Sequence, residues 1–125
     1  MKLSIVLSTH AAAFQAVAFK GAFEANVSKI AGWGYDGVEL AVRDPKLVNA
    51  GDLERVISSN NLVVPAIGTG QAWGEEGLSF TSNEEKIRIA AIERISSHIP
   101  LAAHLDAIVI LGLIRGITPE GQTHE

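Results

Sequence analysis

The chain has 125 residues, of which 47% are apolar and 19% charged, a composition typical of one globular domain. Its formal net charge is −4 and it contains no cysteine. The absence of cysteine excludes disulfides, zinc–cysteine sites and a cysteine nucleophile. The negative net charge gives no support to a basic nucleic-acid surface. The absence of cysteine is compatible with the cytoplasmic location that we expect.

The N-terminal apolar run, residues 3–7, is shorter than the ~7–15 residues of a signal-peptide core. No apolar run in the sequence approaches the ~20 residues of a membrane span. We therefore expect no membrane partner.

The first part of the chain predicts a strand, a connection and a helix. Residues 3–8 alternate, with two leucines and an isoleucine on one face, which is the pattern of a strand. Residues 9–21 are expected to form a loop or a short irregular helix. Residues 22–33 carry apolar side chains at helical spacing and end at glycines, which predicts a helix and its stop.

The next unit begins with a strand over residues 37–42. The strand places its valines and Leu40 on one face and Glu39 on the other, and Arg43 follows on the Glu39 face. A helix is predicted over residues 50–60. Its buried stripe is expected at Leu53, Val56 and Ile57.

Less regular elements follow. A strand over residues 62–68 contains Pro65, which predicts a bulge or a missing ladder bond. A glycine-rich loop is expected over residues 68–77. A third helix should start near Glu84, and Pro100 should kink or end it, because the proline ring clashes with the carbonyl one turn back.

The last strand, residues 107–111, is apolar on both faces, as expected of a parallel strand covered by helices, and a polar tail occupies residues 112–125. The order β-α-β-α-β-α-β predicts a parallel sheet with right-handed crossovers. A doubly wound sheet normally has a glycine-rich phosphate turn after its first strand, but Ser8, Thr9 and His10 stand there. Small or polar residues on one strand face fit a barrel interior.

We therefore predict an α/β fold of parallel (β/α) units, the N-terminal half of a TIM (β/α)8 barrel with about four strands and three helices. Residues 1–125 would be one partial barrel domain. A complete barrel has roughly 250 residues, so the tail over residues 112–125 is expected to lead into a second half that this sequence lacks.

Four short segments resemble a known superfamily. Gly34–Leu40 (GYDGVEL) resembles the second-strand signature of the xylose isomerase-like barrels, which include sugar-phosphate isomerases and epimerases, hydroxypyruvate isomerase-like proteins and apurinic endonucleases. Ala66–Gly70 (AIGTG), Leu78–Phe80 (LSF) and Ile110–Gly112 (ILG) extend the resemblance over nearly the whole chain. The match covers only the N-terminal half of that barrel, and it indicates the superfamily but not the substrate.

The resemblance implies one divalent metal ion, Mn, Mg, Co or Zn, in the full-length parent. Its Glu, Asp, His and Glu ligands belong to the second half of the barrel, so no metal ligand is expected in this chain. Apurinic endonucleases add histidines at the ends of the third and fourth strands. This chain has Gly68–Gly70 and Gly112–Leu113 in those places, which disfavours that reading.

Candidate site residues follow from the rule that barrel active sites lie at the carboxyl ends of the strands. Glu39 is the leading candidate for catalysis or sugar binding, because an inward carboxylate is costly unless it is paired or used. Its alternative role is an ion pair with Arg43. The substrate-binding candidates are Glu39, Arg43, Thr69, Gln71, Trp73, His10 and Arg115.

Several of these candidates have a plainer interpretation. Either arginine could form a loop salt bridge, Trp73 could pack on the barrel rim, and His10 could be solvated. Four further polar residues are expected to have no role in a site. These are the solvated pair Glu75 and Glu76, and the outward-facing His98 and His104.

The resemblance implies that the full-length parent isomerises or epimerises a small sugar or sugar phosphate through a metal-bound enediolate, while this chain alone is inactive. The alternative is a catalytically silent half-barrel that forms homo-oligomers through its exposed sheet edges. A weaker alternative is an apurinic endonuclease-like phosphodiesterase. The acidic net charge disfavours it, and we expect no nucleic-acid partner.

Overall fold

A computed structural model describes residues 1–11, 19 and 21–117. The strands are β1 (Ser4–Ser8), β2 (Gly37–Ala41), β3 (Ala66–Gly68) and β4 (Ile108–Ile110). The α-helices are α1 (Phe23–Gly32), α2 (Ala50–Ser59), α3 (Gly70–Glu76) and α4 (Glu85–His104). Short 3-10 turns occupy Pro45–Leu47 and Leu113–Arg115.

The four strands form one parallel sheet in the order β1-β2-β3-β4. This sequential order confirms the predicted fold class. In a doubly wound sheet the order in which strands are added reverses at a switch point, whereas a (β/α)8 barrel adds each strand beside the previous one. The connections between strands run through α1, α2 and α4. The architecture is therefore that of half a barrel with three crossover helices, and α3 is an additional short helix.

One face of the sheet carries the main core. Leu7, Leu40 and Ile67 lie side by side in the strand register, and each is fully buried. The predicted stripe of α2 packs against this row, as do α1 and the end of α4. Burying a side chain of this size contributes about 1.5–3 kcal/mol, so this layer is the main stabilising term. The predicted alternation of β2 is confirmed, since Val38 and Val42 are also buried here.

The other face of the sheet is open. Ile108 is 67% exposed and Ile110 36% exposed, although both belong to β4. The expectation that this strand is covered on both faces is therefore wrong. In a sequential parallel sheet every right-handed crossover lies on the same side, so the crossover helices cover one face and the other becomes a barrel interior.

The bulge predicted at Pro65 is present. Gly37 pairs with Val63 in an isolated bridge, and Leu40 pairs with Ile67 in the regular ladder. Between these two pairs one side advances three residues (37 to 40) and the other four (63 to 67). The extra residue shortens the third strand to Ala66–Gly68 instead of the predicted 62–68.

Two elements differ from the prediction. The glycine-rich segment contains α3, because Ala72 and Trp73 pack with Ala91 and Ile114 in a second apolar cluster that overrides the poor helix propensity of glycine. Pro100 does not end α4, which continues to His104. Pro100 is exposed, while the residues after it, Leu101 and Ala102, are buried against the core and hold the last turn in place.

Parts of two predicted segments, residues 12–18 and 20 of the first connection and residues 118–125 of the tail, lie outside the described residues. Within the described part of the chain, no helix combines the length and apolar character needed to cross a membrane.

Candidate functional site

Glu39 stands in the middle of β2 on the open face of the sheet. Its Oε1 lies 3.4 Å from the position that a β-carbon would take at Gly68, so the glycine leaves room for the carboxylate beside β3. Among the described residues it has no hydrogen-bond or ion-pair partner. The alternative ion pair with Arg43 is therefore wrong, since Arg43 binds Glu75 and Glu76 instead.

Several hydrogen-bonded polar side chains lie at the carboxyl end of β1. Ser8 is fully buried, and Gln71 of α3 is 1% exposed. The Gln71 Nε2 donates a hydrogen bond of 2.7 Å to the Ser8 Oγ, which also accepts from the His10 backbone N–H at 3.3 Å. The His10 Nδ1 lies 2.8 Å from the Thr9 Oγ1. The amide of Gln71 thereby reaches across the sheet from the end of β3 to the end of β1.

The strand register brings these groups to one end of the sheet. Ser8 is paired with Ala41, and Ala41 with Gly68. Glu39 precedes Ala41 by two residues and so lies on the same face of the sheet. Glu39 therefore lies two residues before the carboxyl end of β2, and Gln71 follows the carboxyl end of the adjacent β3. His10 adjoins Gln71 through Ser8.

Five charged residues around α3 form an ionic cluster, which we call the α3 clasp: Arg43, Asp44, Glu75, Glu76 and Arg94. Arg43 lies 3.2 Å from Glu75 and 3.5 Å from Glu76. Arg94 of α4 makes two hydrogen bonds to Glu76, at 2.9 and 2.8 Å, and lies 3.3 Å from Asp44. The clasp ties α3 to α4 and to the connection after β2.

The α3 clasp shows that the prediction for Glu75 and Glu76 is wrong, and it accounts for the role of Arg43. Glu75 and Glu76 are not a solvated pair, since both bind arginines. Arg43 forms the loop salt bridges that were its plainer interpretation, and because β2 ends at Ala41 it lies beyond the strand. Its guanidinium is engaged by two carboxylates.

Arg94 is the centre of the clasp. Its side chain is 14% exposed, and it also donates a hydrogen bond of 2.7 Å to the Arg43 carbonyl. The hydrogen bond to Glu76 raises the pKa of Arg94 above its ordinary value against the opposing effect of desolvation, and the charges of Glu76 and Asp44 raise it further. Arg94 is therefore a permanent cation in this structure.

His98 is buried, contrary to its predicted position on the outside. Its Nδ1 lies 2.8 Å from the Arg94 carbonyl oxygen and its Nε2 3.0 Å from the Val42 carbonyl oxygen. It thus links α4 to the end of β2 directly beneath the clasp. His104 is exposed as expected, and its Nε2 lies 2.9 Å from Glu54.

The remaining candidates are Thr69, Trp73 and Arg115, which either have structural contacts or lie exposed. Thr69 is buried and donates a hydrogen bond of 2.8 Å to the Ile110 carbonyl, which ties β3 to β4. Trp73 packs in the second apolar cluster, in keeping with its alternative as a rim residue. Arg115 is exposed on the 3-10 turn after β4 and has no ion pair within the described residues.

Two residues that the sequence interpretation did not select also belong to this end of the sheet. Ser8 faces the same side of the sheet as Glu39, and the strand alternation of residues 3–8 was the sequence pattern that could have identified it. Glu75 carries a buried oxygen, Oε1, that has no hydrogen-bond partner among the described residues, and so does Gln71. No local pattern distinguishes Glu75 from a solvated acid, because its burial depends on the clasp.

The described residues at this end of the sheet do not form a metal site. In the part of the chain that the structure describes, no three His, Cys, Asp or Glu side chains are grouped so that they could hold a metal ion. The carboxylates nearest the strand ends do not fit the role, since Glu75 and Glu76 are bound to arginines and Glu39 stands alone.

No known protein family model matches the chain, and no curated protein sequence is significantly similar to it. The resemblance to the xylose isomerase-like superfamily therefore rests on the four short motifs alone.

Proposed function

We propose that this sheet is the substrate-binding half of a (β/α)8 barrel that isomerises or epimerises a small sugar or sugar phosphate. The observation that carries the proposal is the Glu39 carboxylate, which stands on the open face of β2, two residues before the strand ends, without a partner in the described residues. A free carboxylate in that place suits proton transfer at the carbon next to a carbonyl. Ketose–aldose isomerisation and epimerisation share this step.

The roles follow from the geometry. Glu39 would move the proton or hold the adjacent hydroxyl, and His10, adjoining the buried Ser8 and Gln71, would contact a further hydroxyl of the sugar. The motifs of the xylose isomerase-like superfamily support the same reaction class. We expect the 125-residue chain alone to be inactive, since the proposed reaction uses groups from both halves of the barrel.

The test uses a protein in which this sheet is joined to the strands that complete the barrel. It is incubated in D2O with a panel of ketoses and their phosphates, and loss of the C–H signal next to the carbonyl is followed by proton NMR. Glu39→Gln should slow the exchange by about 10²–10⁴-fold. Glu93→Gln, the same change on an exposed position of α4, should leave it unaltered.

Three outcomes would contradict the proposal. One is the absence of exchange with every sugar tested. Another is equal exchange by the Glu39→Gln variant. A third is an exchange rate that does not change when divalent metal ions are removed with EDTA, because the resemblance implies a metal-dependent enzyme.

A second candidate function is self-association of the chain as a structural module. It is favoured by the exposure of Ile108 and Ile110 on the open face of β4, where apolar side chains lie beside a sheet edge. Light scattering at micromolar concentration should then show a dimer or larger assembly, and Ile108→Lys should dissociate it. Leu47→Lys, at a residue that is 51% exposed on the helical side, is the matched control. A monomeric wild-type chain would exclude this function.

A further inference from the structure

One flank of α4 is apolar and exposed. Ile92 and Ile99 lie two turns apart on the same side of the helix, and each is 58% exposed. His104 contacts Glu54 of α2 and so marks the flank of α4 that faces the middle crossover helix. Since an α-helix turns about 100° per residue, both isoleucines lie about 120–140° around the helix from His104. The apolar flank of α4 therefore faces away from α2, towards the β4 edge of the half-barrel.

The other outer helix, α1, has a corresponding flank. Glu24 lies 3.9 Å from Arg55 of α2, and Trp33 stands about half a turn around the helix from Glu24. Trp33 caps the end of α1 and is 55% exposed. The Lys29 Nζ lies 4.9 Å from the centroid of its ring, and the Phe19 ring centroid lies 5.7 Å away. Helix α1 therefore presents a packed aromatic ring away from α2, at the β1 edge.

The outer strands β1 and β4 have one open side each. Within the described residues, each of them pairs with one neighbouring strand of the sheet. Phe19 adds a single bridge to β1 at Leu7, so the first residues of that strand keep an open side. Exposed residues of opposite charge precede the two edges, since Lys2 stands two residues before β1 and Asp106 two residues before β4. Unpaired strand edges of this kind are templates for pairing with another chain.

We propose that a second copy of this chain covers both edges, so that two copies close one eight-stranded barrel. The inference rests on the second candidate function, self-association, and narrows it to a closed dimer. A parallel barrel of this architecture has eight strands, and each copy supplies four in sequential order. A half-turn about the barrel axis places β4 of each copy beside β1 of the other, so the two contacts are identical.

The two edges of the chain are complementary to each other. Ile99 lies in the last two turns of α4 and Trp33 at the end of α1, so these apolar side chains meet at the same end of the barrel wall. Strands paired at their first residues bring Lys2 of one copy beside Asp106 of the other. Pairing of two like edges would instead oppose two lysines or two aspartates. The chain thus supplies both sides of each contact, which favours a second copy as the partner.

Single cysteines can report which flanks meet, because the chain has none of its own. The variant Ser96→Cys changes an exposed residue between the two isoleucines of α4, and Lys29→Cys an exposed residue one turn before Trp33. A short bis-maleimide should cross-link a co-refolded mixture of the two variants and should not cross-link either variant alone. Light scattering of the wild type at micromolar concentration should give twice the 13.2 kDa chain mass and no larger species, because closure leaves no strand edge.

Lysine substitutions test the two flanks directly. Ile99→Lys and Trp33→Lys should each weaken dimerisation by about tenfold or more, since each buries a charge in the contact. Leu47→Lys, at a residue that is 51% exposed between β2 and α2, is the matched control and should leave the dimer unchanged. All three variants should keep the circular dichroism of the wild type, because the changed side chains are exposed.

The outcomes separate the closed dimer from self-association in general. Cross-linking of Ser96→Cys alone as fast as the mixture would mean that α4 packs on α4. This result would overturn the closed dimer and leave self-association in place, as would assemblies larger than a dimer or a dimer that Ile99→Lys does not weaken. A monomeric wild-type chain would contradict self-association itself, and the closed dimer with it.

Discussion

Arg94 should be the residue on which the position of α3 depends. In Arg94→Met the apolar stem is retained while the guanidinium is lost. The change removes two hydrogen bonds to Glu76, the contact with Asp44 and the hydrogen bond to the Arg43 carbonyl. It leaves two carboxylates of the α3 clasp without that cation, and α3 loses its principal tie to α4.

The magnitude follows from the burial of the partners. Breaking a fully buried ion pair costs about 3–5 kcal/mol, and an exposed pair is worth about 0–1 kcal/mol. The Arg94 side chain is 14% exposed, Asp44 20% and Glu76 32%, which places the cluster between these limits and nearer the first. We expect the free energy of unfolding to fall by about 2–3 kcal/mol.

Arg55→Met is the matched control. Arg55 also contacts two acids, Glu24 at 3.9 Å and Asp52 at 3.5 Å, but its side chain is 65% exposed. Its loss should therefore change the free energy of unfolding by less than about 0.5 kcal/mol. Urea denaturation followed by circular dichroism measures both variants. Equal losses in the two variants would refute the argument that burial gives the clasp its strength.

The pH dependence of the same difference has a definite sign. A cation whose pKa is raised in the folded state stabilises the fold at every pH below its ordinary pKa, and the effect disappears only above it. The ordinary pKa of arginine already lies far above neutral pH. The contribution of Arg94 to the free energy of unfolding is the difference between the wild type and Arg94→Met. This difference should be the same at about pH 6 and pH 9.

Three further variants test the packing and the site by urea denaturation. Gly37→Ala should lower the free energy of unfolding by about 1–3 kcal/mol, because the new β-carbon would lie 2.7 Å from the Val63 carbonyl oxygen. Gly32→Ala in α1 meets open space and should raise it by up to about 1 kcal/mol, and equal effects of the two changes would refute the clash. His98→Phe should cost about 1–3 kcal/mol, because the Val42 carbonyl oxygen loses its imidazole partner, and a loss below about 0.5 kcal/mol would contradict that role. Glu39→Gln should leave stability unchanged or raise it by up to about 1 kcal/mol, whereas a clear loss would reveal a structural role for the carboxylate.

The parts of the fold that could be predicted from the sequence are those set by local periodicity. The alternation of residues 37–42 assigned Val38 and Leu40 to the helical core and Glu39 to the other face, because side chains of a strand alternate whatever the surroundings. The bulge at Pro65 was predictable for the same reason, since a residue without an N–H cannot donate to a ladder in any context.

The α3 clasp could not be predicted, because its partners are distant in sequence. Arg43 and Glu75 are separated by 32 residues, and Arg94 is 51 residues from the carbonyl that it binds. Two neighbouring acids in a glycine-rich segment indicate solvent exposure when only local sequence is considered. Tertiary packing of Trp73 instead forms α3 and turns both acids towards arginines.

The candidate residues divide according to whether the fold accounts for them. Arg43 and Thr69 were selected for their place at strand ends, and both prove to have complete structural partners. Gln71 and Glu75 each keep one buried oxygen that the described residues leave unpaired, and the partly exposed Glu39 carboxylate has no partner among those residues either. A folded chain satisfies its buried polar groups wherever stability alone decides, so departures from that rule concentrate at functional sites. The lack of partners among the described residues therefore ranks these three side chains above Arg43 and Thr69 as candidates for a site.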